Sequence, residues 1–75
     1  ANPVRYRILQ ILHERGVCQC GPIGEDLPIA QSTLSQHLKV LREAGLIRGE
    51  VSGPSICYCR DEMAIDWLKA RVQEL

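Results

Sequence analysis

The stretch Gln31-Ser32-Thr33-Leu34-Ser35-Gln36-His37-Leu38-Lys39-Val40-Leu41-Arg42-Glu43-Ala44, closed by Gly45, decides the fold. Leu34, Leu38 and Leu41 fall at i, i+4 and i+7, and Ala44 extends the row, so one stripe of an α-helix over 31–44 is apolar. The other side carries Ser32, Thr33, Gln36, His37, Lys39 and Glu43. Gly45 suits the left-handed residue at which helices commonly stop. A helix that is merely solvated favours Glu and Lys on its exposed turns. This one opens instead on Gln, Ser and Thr, side chains that hydrogen-bond to base edges.

Upstream, Asn2-Pro3 is a helix start, with Asn as cap and Pro at the first helical position. Val4, Ile8, Leu9, Ile11 and Leu12 recur at helical spacing, and Gly16 stops a helix of about 3 to 15. Val17 to Cys20 reads as a brief strand. Gly21-Pro22 offers a second, short helix to about Leu27, ended by Pro28 because the residue before proline is driven out of the helical region. Downstream, Leu46 to Val51 and Ser55 to Arg60 flank Ser52-Gly53-Pro54 as a hairpin. Asp61 then caps a last helix to Leu75, with Met63, Ala64, Trp67, Leu68 and Val72 on a broad apolar side. The order is helix, strand, helix, tight turn, helix, hairpin, helix. It predicts a mainly α fold with a small β-hairpin (α+β), a winged helix-turn-helix, as one domain over 1–75.

The remaining properties bound the function. A chain of 75 residues supports one small core, marginal alone, that a second subunit would strengthen. With 45% apolar but 4% aromatic residues, that core must be Leu, Ile and Val. No apolar stretch approaches the roughly 18 residues of a membrane span. Residues 1–7 lack the apolar segment of a secretory leader, so a cytoplasmic chain with reduced thiols is expected. The net charge of zero argues against strong non-specific DNA binding. Its distribution still allows a basic face, with Lys39, Arg42, Arg48 and Arg60 in the middle and wing, and Glu62, Asp66 and Glu74 near the end.

These residues place the candidate contacts to a double-stranded DNA operator. Gln31, Ser32, Thr33, Ser35, Gln36 and His37 are the readout set, with Leu34 the one apolar interruption. Lys39 and Arg42 are candidate phosphate contacts, and Arg48 reaches the backbone or minor groove. A competing reading is a winged helix that binds protein and never touches DNA, which the neutral charge supports. An enzyme is set aside: there is no Ser-His-Asp spacing, phosphate loop or carboxylate cluster, and so short a chain has little room for a substrate cavity.

The four cysteines form two Cys-x-Cys pairs, Cys18/Cys20 and Cys57/Cys59. Residues two apart on a strand share a face. If the short strand pairs with the wing, all four sulfurs gather on one side of a three-stranded sheet. Three readings stay open. The cysteines are small buried hydrophobes, as Cys57 between Ile56 and Tyr58 suggests. They are a thiolate cluster for a soft ion such as arsenite, Zn(II) or Cd(II). Or they are a redox switch through a cross-strand disulfide.

The run from Gln31 to Ile47 resembles the recognition helix of ArsR/SmtB-type bacterial repressors. Asn2-Pro3-Val4-Arg5-Tyr6-Arg7-Ile8-Leu9 is similar to that family's first motif, and Gly53 with the Tyr58 strand to its wing. The resemblance implies a homodimeric, operator-binding repressor that loses DNA affinity when an inducer binds, often a metal or metalloid ion. It implies dimerisation through terminal helices, of which the C-terminal one, 61–75, is evident here. Metal-sensing members carry a Cys-x-Cys at the start of the first helix of the helix-turn-helix. Cys18-Gln19-Cys20 resembles that pair, displaced by one residue when counted back from Gln31. The family's zinc site on the last helix needs Asp and His. Here Asp61, Glu62 and Asp66 have no accompanying His, so that site is expected to be absent. His13 is expected in solvent at the end of the first helix. Ala30 stands where the family has a capping Ser.

Overall fold

The computed structural model describes residues 2–16, 18–20, 23, 27–53 and 55–74. Helix α1 spans Pro3–Glu14, strand β1 Cys18–Cys20, helix α2 Gln31–Glu43, strands β2 Ile47–Ser52 and β3 Ser55–Arg60, and helix α3 Glu62–Gln73. The expected short helix over 22–27 lies largely outside the described residues. Of that stretch, Ile23 is buried in the core and Leu27 is half-buried against it.

Helices α1 and α3 begin at the caps their sequence offers. The Asn2 side chain accepts hydrogen bonds from the backbone N–H groups of Val4 and Arg5, at 2.9 and 3.3 Å. Those two donors have no partner inside the helix, so the cap satisfies them. Asp61 does the same for α3, accepting from the Ala64 N–H at 3.0 Å. Gly45 takes φ +79° just beyond α2, a backbone conformation that side chains oppose. Ala44, read as an extension of the leucine stripe, is instead the exposed C-cap of α2.

The core is Ile8, Leu12, Ile23, Leu34, Leu38, Leu41 and Ile47. It is aliphatic throughout, as the scarcity of aromatics requires. The sheet is antiparallel, in the order β1-β3-β2. Ile47 lies across from Arg60 and Gly49 across from Tyr58, and these four share the face turned to the helices. Ile47 is in the core, Tyr58 packs against it, and Arg60 reaches α1. The alternate residues Arg48, Glu50, Cys57 and Cys59 therefore occupy the outer face.

Arg60 fastens the end of the wing. Its side chain is 8% exposed, and its Nη1 donates to the Leu9 carbonyl at 2.9 Å. Its Nε and Nη2 meet the two carboxylate oxygens of Glu62 at 2.6 and 3.2 Å. This fork joins α1, β3 and α3. The hydrogen bond from Arg60 holds the Glu62 carboxyl below the usual carboxylate range.

Candidate nucleic-acid interface

The leucine stripe fixes which face of α2 is left outside. Leu34, Leu38 and Leu41 are buried, so Gln31, Ser32, Thr33, Ser35, Gln36 and Lys39 are exposed together. Ala30 makes no side-chain cap to α2. The free N–H groups of the first turn are accordingly not taken by a cap side chain, and helix N-termini with free N–H groups favour anions. Lys39 stands 4.0 Å from Glu43, with both side chains about two-thirds exposed. Such a pair is weak and leaves the ammonium free to turn toward a phosphate.

His37 departs from the rest of the set, because it is half-buried. The Arg5 Nε donates to its Nδ1 at 3.1 Å, linking α1 to α2. An accepting Nδ1 places the imidazole proton on Nε2, so His37 offers a donor of fixed orientation. Arg5 was not among the residues singled out by the sequence. It lies off the α1 stripe, and a contact across 32 positions has no local signature.

Arg48 is exposed on the outer face of β2, and Arg42 is exposed on α2. Arg60 does not belong with them. The expectation that it adds to a basic face is corrected, because its guanidinium is spent on Leu9 and Glu62. His13 is exposed, as expected.

The sheet does bring the four cysteines together. Cys18 pairs with Cys59 and Cys20 with Cys57, with Cα separations of 4.0 and 4.1 Å, and both pairs are disulfide-bonded. This corrects the expectation of reduced thiols. The register of β1 against β3 sets each sulfur against its partner. Cys57 and Cys59 are buried, while Cys18 and Cys20 sit on the exposed edge strand. The Cys18-x-Cys20 pair therefore lies on a strand and not on a helix.

A second surface lies between α1 and α3. Among the described residues of α3 only Ile65 is buried. Met63, Trp67, Leu68 and Val72 remain exposed, Met63 by 85% and Trp67 by 60%. A cleft of about 670 Å³ runs beside them, lined by Tyr6, Leu9, Ile65, Leu68 and Val72 among others. No described helix is long and apolar enough to cross a membrane.

Residues 1–50 match a family model described as a helix-turn-helix domain. The chain is 44% identical to an uncharacterised HTH-type transcriptional regulator, YbzH, of Bacillus subtilis (strain 168), across 96% of this chain and 90% of the relative. It is 40% identical to the HTH-type transcriptional repressor SmtB of Mycobacterium tuberculosis (strain ATCC 25618 / H37Rv), across 77% of this chain and 42% of that protein. Among solved structures it is similar to a possible transcriptional regulator for arsenical resistance. The TM-score is 0.83 at 29% identity, covering 97% of this chain and 75% of the other.

Proposed function

Because the chain belongs to the winged helix-turn-helix transcriptional regulators of the ArsR/SmtB type, we propose that it represses in the cytoplasm by reading an operator with α2. In this reading Gln31, Ser32, Thr33, Ser35 and Gln36 face base edges, and His37 donates from Nε2. Lys39 and Arg48 contact phosphates or the groove edge. The observation that carries it is the division of α2: the leucines hold the core, and the exposed polar side chains of its first two turns are not used by the fold. The chain acts as a homodimer joined through α3, which supplies two copies of α2 for an inverted repeat.

The four cysteines are the ion site of the same reading. When reduced, they offer four sulfurs on one sheet face, a donor set that suits a soft thiophilic ion. Arsenite, Zn(II) or Cd(II) would be held by Cys18, Cys20, Cys57 and Cys59. A bound ion supplies the signal that lowers DNA affinity. The disulfide form cannot hold it, because its sulfurs are bonded to each other.

Exchanging Thr33 and Gln36 for Ala tests the operator reading. Each lost base contact weakens specific binding by about 1–3 kcal/mol and leaves the phosphate-driven part of binding intact. The measurement is fluorescence anisotropy with operator and scrambled duplex at two salt concentrations. An unchanged operator affinity in the double variant would remove α2 as the reading element.

A further inference from the structure

The outer face of the sheet carries two cross-strand rows of opposite charge. In the first, Arg48 lies across from Cys59, and Cys59 across from Cys18. In the second, Glu50 lies across from Cys57, and Cys57 across from Cys20. Directly opposed residues of antiparallel strands share a face, with Cβ atoms about 5 Å apart. One disulfide therefore lies beside a guanidinium and the other beside a carboxylate. Arg48 and Glu50 are both exposed, and no ion pair among the described residues involves either. Each bond also has one accessible end, since Cys18 and Cys20 lie on the open edge while Cys57 and Cys59 are buried.

We propose that the two disulfides form an ordered thiol–disulfide gate over the ion site, in which the Cys18–Cys59 bond beside Arg48 opens before the Cys20–Cys57 bond beside Glu50. The proposal rests on the four-sulfur reading given above and adds its regulation. The reductant is a small dithiol. One of its thiolates attacks the Cys18 Sγ, the S–S bond breaks, and the electron pair leaves on the Cys59 Sγ, which takes up a proton. The second thiol of the reductant then displaces the Cys18 sulfur, giving a cyclic disulfide and a second protein thiol. Two electrons pass per bond, so two equivalents open both. In a chain with one bond opened, that bond is mainly Cys18–Cys59, and the four-sulfur site is still incomplete.

The order follows from charge. In the exchange transition state one negative charge is spread over three sulfurs. A guanidinium beside that charge lowers the barrier, and a carboxylate raises it. Each unit charge lies about 6 Å from the nearer bond and about 9 Å from the farther one, so at a water-like dielectric the two charges separate the rates about twofold. Salt shrinks that ratio by screening.

The test uses the oxidised full chain with limiting dithiothreitol, trapped at intervals with N-ethylmaleimide and read by peptide mass spectrometry. The expected result is labelling of Cys18 and Cys59 about twofold faster than of Cys20 and Cys57. Exchanging the charges, Arg48→Glu with Glu50→Arg, reverses the order, with far-UV circular dichroism confirming the fold. An anionic thiol sharpens the preference and a cationic thiol flattens it. Equal rates for the two bonds, an order unmoved by the charge exchange, or thiols that oxidised glutathione cannot pair would each overturn the gate. Cd(II) titration of the fully reduced chain separates this outcome from failure of the ion reading. Absence of a thiolate absorption band removes the ion site while the order of opening stands or falls by the labelling. A full band after a single equivalent of reductant overturns the gate itself.

Discussion

Helices α2 and α3 are both amphipathic, at 13 and 12 residues, yet they meet the molecule in opposite ways. Helix α2 buries three leucines and leaves polar side chains outside. Helix α3 buries Ile65 and leaves Met63, Trp67, Leu68 and Val72 outside. An apolar stripe says that a face is to be covered, not by which chain. For α2 the cover is its own core. For α3 most of the stripe is left uncovered by the described residues, and the cleft between α1 and α3 extends that surface. The Trp67 ring is steadied there by the Arg71 guanidinium, 5.2 Å from its centroid.

The contrast can be broken at several points, with effects of decreasing size. Leu38→Ala opens a cavity in the core and costs about 2–5 kcal/mol of stability in urea unfolding. Trp67→Glu acts on the other helix. It leaves the fold of each protomer intact by circular dichroism and shifts sedimentation from dimer to monomer, by at least about 2 kcal/mol if the indole is an interface anchor. A loss of fold in Trp67→Glu, with no change of mass, would show that α3 is covered in cis after all. Ala30→Ser supplies the missing cap of α2 and stabilises by about 1 kcal/mol, read as a rise in urea midpoint. The same substitution engages N–H groups that a phosphate would use, so operator affinity falls slightly while stability rises.

The smallest effect is at Glu62, whose half-exposed carboxylate is screened by solvent. Its folded-state pKa is lowered by the hydrogen bond from Arg60. The stability it contributes is thus present above the ordinary glutamate range and is lost as pH falls through the lowered value. Wild type exceeds Glu62→Gln in urea midpoint at neutral pH, and the two converge in acid. A gap that persists in acid would assign the effect to packing.

Much of this was legible in the residues themselves. Asn2-Pro3, Asp61 and Gly45 carry local chemistry, and each cap or stop stands where that chemistry puts it. The period of Leu34, Leu38 and Leu41 gave the buried side of α2. The alternation Cys-x-Cys gave shared faces, and the sheet order then brought the pairs together. What escaped was non-local. Nothing near Arg5 marks its bond to His37, and nothing near Arg60 marks it as buried, since charge alone reads as surface. A cross-strand disulfide stood among three readings of the cysteines, and the expectation of reduced thiols gave way to it because the register sets the sulfurs in pairs.

The two disulfides are nested, with sequence separations of 41 and 37 residues. Once the inner bond is closed, the outer one adds only a few residues of ring, so the second bond restrains the unfolded chain far less than the first. Either bond alone therefore keeps nearly all of the covalent restraint. The ring that remains encloses the whole of α2. A backbone cut between 21 and 56 leaves two fragments that migrate as one species until the last sulfur pair is reduced.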